Sequence, residues 1–441
     1  EPQTLYFSKS GDYENMTAGT GAADAMIYTI ASNEVNVIRY LKAVRTLIVG
    51  TTGGEYTVSA DGTDAAVTPT NVTIKRQSSF GSANVDAQPA GNAILFLQRA
   101  KRKIRELQYN FDQDGYVAPD LTILNDTVTK TGINETAYQQ EPDSILWCVR
   151  DDGVLAALTY QRSENVVAWS RHILGGRFGE ATITVTDYAN IATGTKLTLT
   201  KSDGTTVTFT CQGAGSSPTP ETNKFFHNES NDTTADNIYT AINLHEDFTV
   251  ANPAANVVTI EETLHGLGYL TITSSDTTRL AVTSEAEPIV DSIAAIPSID
   301  GKSNTLYLIV KRTINKLTTR SVEFIEERFE PSSNTDKDDA FFVDSGLTYS
   351  GVAASTLTGL SHLEGATVKI LANGAAHADK VVTSGQVVLD RTTTKAQVGL
   401  GYTSTLVTLP LEVATPTGTS QGKKKRISQL LLRFYQSLGG R

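Results

Sequence analysis

The sequence is poor in cysteine, in basic residues and in long apolar runs. Two cysteines, Cys148 and Cys211, among 441 residues exclude a disulfide scaffold and a thiolate metal cluster. No run of about 18 apolar residues is present, so we predict no membrane-spanning segment. Asp and Glu (48) outnumber Lys and Arg (37), which gives a net charge of −11. This balance argues against a dedicated nucleic-acid binder, because that affinity comes mostly from Lys and Arg neutralising phosphates.

The residues that are plentiful favour β-structure. Only 19% of the residues are charged, so the surface depends on uncharged polar side chains, of which threonine is abundant. Threonine suits strands because its branched Cβ packs on a pleated surface. The 34 glycines are scattered as turn signals. The chain begins at Glu1 without a Met or a signal peptide, and we expect it to be part of a longer polypeptide.

The clearest local pattern is a three-stranded meander between Ser144 and His172. Two apolar runs are joined by the turn Asp151-Asp152-Gly153, and the polar stretch Gln161–Asn165 separates them from a third run. We expect Gly153 to have a positive φ, which glycine adopts without a steric penalty. Such a meander is typical of a propeller blade or of a β-sandwich.

A change in composition predicts an inserted module. The Thr-rich region 177–287 contains the best helix signal, which starts at Asp232–Asp236 with Asp232 or Thr233 as its cap. We predict a compact α+β module with one helix on a small sheet. The predicted organisation has four parts: the first part of a propeller-like β platform (1–176), the inserted module (177–287), the resumed platform (288–330), and a C-terminal β-sandwich or barrel-like unit with a basic, amphipathic tail (331–441).

Signals for catalysis, metals and cofactors are missing. The six histidines show no HxH or HExxH spacing, so we expect no protein-bound zinc. The nucleophile elbow, the P-loop and the dinucleotide glycine fingerprint are also missing. The acidic clusters at 151–152 and 336–339 lack the alternating oxygen ligands of a calcium loop. We therefore predict no cofactor, and a polysaccharide or peptidoglycan hydrolase is the least favoured class.

Two basic groups are candidates for contact with DNA phosphates or an acidic partner. In the first, partial alternation predicts that several side chains share one strand face. The second precedes an amphipathic segment and has a solvated turn as its alternative interpretation. The residues are Arg99, Lys101, Arg102, Lys103 and Arg105 in the first group, and Lys423, Lys424, Lys425 and Arg426 in the second.

Several stretches in a fixed order resemble one family of virion proteins. They cover most of the chain outside the inserted region, and they are Tyr6–Asn15, Ile30–Asn36, Leu47–Thr51 with Gly54–Tyr56, Gln77–Ser82, Asp112–Ala118, Tyr138–Pro142, the meander that contains Trp147, Val310–Asn315 and Leu360–Leu371. Together they resemble the tail nozzle (tail tubular protein B) and tail hub, or packaged-DNA-stabilisation, family of short-tailed bacteriophages.

The resemblance implies a non-enzymatic protein of the phage tail, assembled in the host cytoplasm. Its expected form is a homohexameric ring on a propeller-like platform, which encloses the DNA exit channel and helps to retain and then release the genome. The expected partners are the connector or adaptor, other tail proteins and passing double-stranded DNA, bound weakly and without sequence preference. The negative charge fits such a conduit, because an acidic lumen repels phosphate. The alternative is a receptor- or glycan-binding tail component that acts through the inserted module.

Overall fold

The structure is a computed structural model that describes residues 1–402 apart from 33–34, 62–64, 176–179, 202–204, 216–222, 254, 263–269, 285–288, 315–316 and 334–335, and then residues 404, 406, 429 and 431. These residues are mainly β, in several small sheets of which none closes into a barrel. The chain divides into two compact units: Glu1–Ile173 with Pro288–Arg312 and Thr319–Glu326, and Leu174–Glu287 with Thr313–Thr318 and Glu327–Arg441. The predicted four-part organisation stays a prediction.

The first unit opens with a hairpin and three four-stranded antiparallel sheets, in each of which consecutive strands pair in chain order. The hairpin consists of β1 (Thr4–Phe7) and β2 (Met26–Thr29). The sheets are β3 (Ile38–Ala43), β4 (Leu47–Thr51), β5 (Glu55–Ser59) and β6 (Thr73–Ser78); β7 (Gln88–Ala90), β8 (Ala93–Leu97), β9 (Ile104–Asn110) and β10 (Gly115–Val117); and β11 (Ile133–Gln139), β12 (Ile145–Arg150), β13 (Leu155–Gln161) and β14 (Val166–His172). Short 3-10 helices cover Phe111–Gln113 and Arg162–Glu164.

The third sheet shows how the sequence specifies these meanders. Its central strands β12 and β13 are apolar and almost entirely buried, as expected for strands covered on both faces. Gly153 closes the turn between them with a φ of +75°, and its N–H donates to the Arg150 carbonyl at 2.9 Å. The predicted positive φ at Gly153 is confirmed.

The described residues of the region that the sequence predicts to be an inserted module (177–287) form two four-stranded sheets and one α-helix. One sheet has the order β19-β20-β15-β22, and the other has the order β18-β17-β16-β21. The elements are β15 (Glu180–Val185), a 3-10 helix at Tyr188–Asn190, β16 (Lys196–Thr200), β17 (Thr206–Ala214), β18 (Lys224–His227), α1 (Asn231–Asn243), β19 (Phe248–Ala251), β20 (Val257–Glu262), β21 (Thr271–Ser274) and β22 (Leu280–Ser284). All members of their shared core, including Leu197, Phe209 and Ile238, lie between residues 181 and 280.

Two details of the module correct the sequence prediction. The helix is capped by Ser230, whose side chain accepts a hydrogen bond from the Thr233 N–H at 3.0 Å, and not by Asp232 or Thr233. Serine serves because its short side chain reaches the free N–H groups of the first turn. The module also has two sheets where one was predicted, because pairing between distant strands leaves no local signal.

A fourth antiparallel sheet of the first unit follows the module. It consists of β23 (Ile289–Pro297), β24 (Asn304–Ile314) and β25 (Leu317–Phe324), again paired in chain order. An ion pair between the buried Arg312 and the partly exposed Glu323 joins the last two strands: Arg312 Nη2 lies 2.8 Å from Glu323 Oε2, and Arg312 Nε donates to Glu323 Oε1 at 3.0 Å. In the second unit, Arg328 pairs at 2.7 Å with Glu330 on the surface, where both side chains are about two-thirds exposed or more.

Side-chain and backbone hydrogen bonds connect the four sheets of the first unit in chain order. Ser82, which leads into the second sheet, donates to Glu55 of β5 at 2.8 Å. Gln88 of β7 donates to the Thr136 carbonyl of β11 at 3.0 Å. Between the third and fourth sheets, the Val290 N–H donates to the Gly153 carbonyl at 2.9 Å. The fourth sheet therefore packs beside the third although the module separates them in sequence.

Among the described residues that follow, the second unit contains a 3-10 helix at Asp336–Asp339 and then a five-stranded sheet. The strands are β26 (Asp344–Thr358), β27 (Thr367–Ala372), β28 (Ala375–Ala376), β29 (Lys380–Val381) and β30 (Gln386–Leu400), with a 3-10 helix at Ser361–Leu363. Asn373 and Gly374, with φ values of +47° and +69°, form the turn between β27 and β28. An Asn-Gly dipeptide in the sequence is typical of such a tight hairpin, and the structure has the hairpin at this position.

Candidate functional site

Most of the first basic group lies in a turn of the first unit and not on a strand. The connection between β8 and β9 covers residues 98–103, and the Lys101 N–H closes it by donating to the Gln98 carbonyl at 2.8 Å. The predicted shared strand face is wrong, because β9 begins only at Ile104 and the preceding residues turn. We call four residues of this connection the basic turn: Arg99, Lys101, Arg102 and Lys103.

The basic turn has two tied lysines and two unpaired arginines. Lys103 Nζ lies 2.9 Å from Asp120 Oδ2, and Lys101 Nζ donates to Asn134 Oδ1 at 2.8 Å. The side chains of Arg99 and Arg102 are exposed, and neither guanidinium has a partner among the residues that the structure describes. These two arginines are therefore the members of the predicted group that are available to a phosphate or a carboxylate.

Arg105 has a packing role instead. Its guanidinium lies 3.5 Å from the centroid of the Phe80 ring. Arg105 Nε donates to Gln98 Oε1 at 2.8 Å, and Nη1 donates to the Ala118 carbonyl at 2.6 Å. Burial lowers the pKa of this guanidinium. Because these protein groups engage its donors, Arg105 fixes β9 against the segment around Phe80 and does not present a phosphate contact.

A buried carboxylate joins two of the stretches that carry the family resemblance. Glu55 on β5 is fully buried, and it accepts hydrogen bonds from the hydroxyls of Ser78 and Ser82, the latter at 2.8 Å. Burial raises the pKa of Glu55, while these hydrogen bonds oppose the rise. The stretches 54–56 and 77–82 thus meet at a polar joint inside the first unit.

The second basic group, Lys423, Lys424, Lys425 and Arg426, lies outside the described residues, as does most of the amphipathic segment that follows it. Its proposed contact with DNA or an acidic partner stays a prediction.

The two cysteines and the potential metal ligands among the described residues show no sign of a reactive site. Cys148 and Cys211 are free and buried, and burial raises the pKa of both thiols, so they pack as small apolar groups. In the part of the chain that the structure covers, no three His, Cys, Asp or Glu side chains converge as metal ligands. The covered part also contains no helix with the length and apolar character to cross a bilayer.

Sequence reasoning missed a polar pocket beside β9 and β10. The pocket has a volume of about 290 Å³, and its walls include Glu106, Tyr109, Phe111, Asp112 and Arg162. The sequence does hold a signal for it: strand alternation places Glu106 on the same face as the buried Ile104, where a carboxylate is unusual. The signal is detectable only once β9 has been recognised as a strand.

Comparison with known proteins adds no family assignment: no protein-family model and no curated protein matches this chain.

Proposed function

We propose that the chain is a structural protein of a short-tailed phage tail, a nozzle or hub that forms a homohexameric ring around the DNA exit channel and helps to retain and then release the genome. The observation that carries the proposal is the series of four antiparallel meanders in the first unit, which follow one another along the chain. Repeated small meanders are the building blocks of propellers. They fit the propeller-like platform that the family resemblance implies.

The contacts between the first strands of successive sheets support a blade-like arrangement. β11 lies beside β7, and β23 lies beside β11, so the first strands of the second, third and fourth sheets are neighbours. In a propeller, equivalent strands of successive blades are neighbours in the same way, because the sheets are arranged radially around one axis. We infer that the module interrupts this series between its third and fourth blades. We also propose that the C-terminal unit (331–441) is sandwich-like.

The charge of the chain supports the role of a conduit. Six copies of a chain with a net charge of −11 form a strongly acidic ring. An acidic lumen repels phosphates and so limits adhesion of passing DNA, whereas many basic contacts would retard it through counterion release. The exposed Arg99 and Arg102 provide a small number of weak contacts. In this proposal the ring assembles in the host cytoplasm, becomes part of the virion, and docks on the connector or adaptor and other tail proteins.

The mass of the assembly tests the proposal. Light scattering on the purified full chain is expected to give six times the chain mass of 47.3 kDa. A chain that stays monomeric at high concentration, or that forms only trimers, contradicts the ring.

A second candidate function, binding of a host receptor or glycan, rests on the module. Its core is separate from the other cores, and its outer strand faces are rich in threonine. Thr198 pairs across strands with both Thr208 and Thr273, and the Thr198 and Thr208 hydroxyl oxygens are 3.1 Å apart. Hydroxyls both donate and accept hydrogen bonds, as sugars require. We expect residues 180–284 to bind specifically to host cells or to a glycan array. The absence of binding in both assays would contradict this function.

A further inference from the structure

One face of the fourth sheet of the first unit is apolar and exposed. Alternation along β24 buries one set of side chains and leaves Tyr307 and Ile309 on the other face, each more than a third exposed. On β25, Val322 is 74% exposed and Phe324 is 56% exposed. The ring centroids of Tyr307 and Phe324 are 6.1 Å apart, so the two strands build one surface. We call these four residues the outer apolar face, and such a cluster marks an interaction surface.

Inside the first unit, each sheet is covered by the next one along the chain. The first sheet shares one core with the β1–β2 hairpin and another with the second sheet. The second and third sheets share a further core, and β23 of the fourth sheet packs beside β11 and β12 of the third. This series of packed faces has two terminal surfaces, which are the outer apolar face and the outer side of the hairpin.

The outer side of the hairpin is also apolar and exposed. Tyr6 and Ile27 pair across β1 and β2, and they are 54% and 48% exposed. Their neighbours Leu5 and Met26 are buried, so Tyr6 and Ile27 point away from the core that the hairpin shares with the first sheet. Both terminal surfaces thus combine aromatic and branched aliphatic side chains, as the cores between the sheets do.

The free charges beside the two surfaces have opposite signs. Alternation places Lys311 on the same side of β24 as the outer apolar face, and it has no carboxylate partner in the described part of the chain. Arg320 on β25 is already paired with Asp291 at 2.6 Å. In the connection between β1 and β2, the exposed Asp12 and Glu14 have no basic partner among the residues that the structure covers. Complementary charges favour contact between the two different surfaces over contact of either surface with itself.

We propose that the outer apolar face of one copy of this chain binds the outer side of the β1–β2 hairpin of a second copy. The two surfaces differ, so the contact is head-to-tail, and repeated contacts of this kind generate rings when the rotation between copies closes. The contact supplies an interface for the proposed ring, and its closure at six copies rests on that proposed function. Two fourth sheets packed face to face would instead give a two-fold dimer.

Cross-linking of single-cysteine variants of the full chain tests the direction of the contact. Tyr6→Cys and Val322→Cys each place a thiol on one of the two surfaces, whereas the native Cys148 and Cys211 are buried. A bismaleimide with a short spacer should join the two variants to each other when they are mixed, and should join neither variant to itself. Val322→Cys linked to itself would indicate the face-to-face dimer, and either that product or no cross-link in the mixture overturns the proposal.

Val322→Asp provides a measurement that does not depend on cross-linking. Val322 is largely exposed, so the urea midpoint should stay close to that of the wild type, whereas the contact would bury the new charge. We expect the concentration of half-maximal assembly in light scattering to rise by about tenfold or more. Leu124→Asp is the matched control, because Leu124 is 90% exposed in the connection between the second and third sheets and should not affect assembly. Equal assembly of Val322→Asp and the wild type overturns the proposal.

The double variant Tyr6→Cys/Val322→Cys separates this contact from the six-fold ring. A cross-linked product that closes at six copies supports both. A ladder that closes at another number, or that continues without closing, supports the contact and contradicts the six-fold ring. A hexamer without cross-links leaves the ring standing and overturns the contact.

Discussion

The turn at Gly153 connects the third and fourth sheets of the first unit, and a single methyl group tests that connection. A Cβ at residue 153 would lie 2.3 Å from Cβ of Ile289 and 3.0 Å from its Cα. Gly301, in the turn between β23 and β24, also has a positive φ, of +71°, but a Cβ there meets nothing within 4 Å. The pair Gly153→Ala and Gly301→Ala therefore separates backbone strain from collision with β23.

The expected losses of unfolding free energy follow from these distances. An alanine in the left-handed region costs about 1 kcal/mol, which is the full loss expected for Gly301→Ala. Gly153→Ala must also displace the backbone at Ile289, which adds about 1–3 kcal/mol, so its total loss is about 2–4 kcal/mol. Gly153→Val, with a larger side chain, should cost at least as much and should impair assembly.

Tryptophan fluorescence during urea unfolding is a suitable assay. The only two tryptophans of the chain, Trp147 and Trp169, lie on β12 and β14, so their emission reports on the sheet that contains the Gly153 turn. Losses of free energy of unfolding that agree within about 0.5 kcal/mol between the two alanine variants would refute the steric argument.

Three further predictions concern the buried Glu55 carboxylate, the ion pair between Arg312 and Glu323, and the module. Because burial raises the pKa of Glu55, the folded state holds this proton more tightly than the unfolded state, and the resulting stability is lost as pH rises from about 4.5 through the raised pKa. Glu55→Gln should flatten that part of the stability profile relative to the wild type; an identical slope in urea titrations at several pH values refutes the assignment. Arg312→Met removes the guanidinium that holds both oxygens of the partly exposed Glu323 carboxylate, which keeps its hydrogen bond from Ser321, and should cost about 1–3 kcal/mol, whereas Arg328→Met at the surface pair should cost about 0.5 kcal/mol or less; equal urea midpoints for the two variants contradict this ranking. Residues 180–284, expressed alone, should unfold cooperatively in calorimetry because all members of their core lie within this segment, and a transition without a heat peak would contradict this expectation.

Local patterns in the sequence were sufficient for the elements and for several turns. Two near-continuous apolar runs and the signal at Asp152-Gly153 predicted β12, β13 and the positive φ between them, because those features depend on adjacent residues. Asn373-Gly374 predicted its hairpin for the same reason. The buried face of α1 followed from helical spacing, although Ser230 and not Asp232 provides its cap.

Features that depend on distant residues were not predictable. Alternation suggested that Arg99 to Arg105 share a strand face, but the residues before Ile104 form a turn, and Arg105 is held over Phe80 from a neighbouring segment. The pocket likewise needs Glu106 and Arg162 to meet across 56 positions of sequence. No local propensity encodes such meetings, since they arise from the packing of one sheet against another.

Cryo-electron microscopy of the purified chain, and of the phage tail in which we propose that it assembles, is the most direct test of the central claim. The account predicts a closed six-fold ring of this chain on the tail axis, with the meanders of the first unit arranged as blades of a platform around the DNA channel. A monomer, or a trimer at the periphery of the tail, would contradict it.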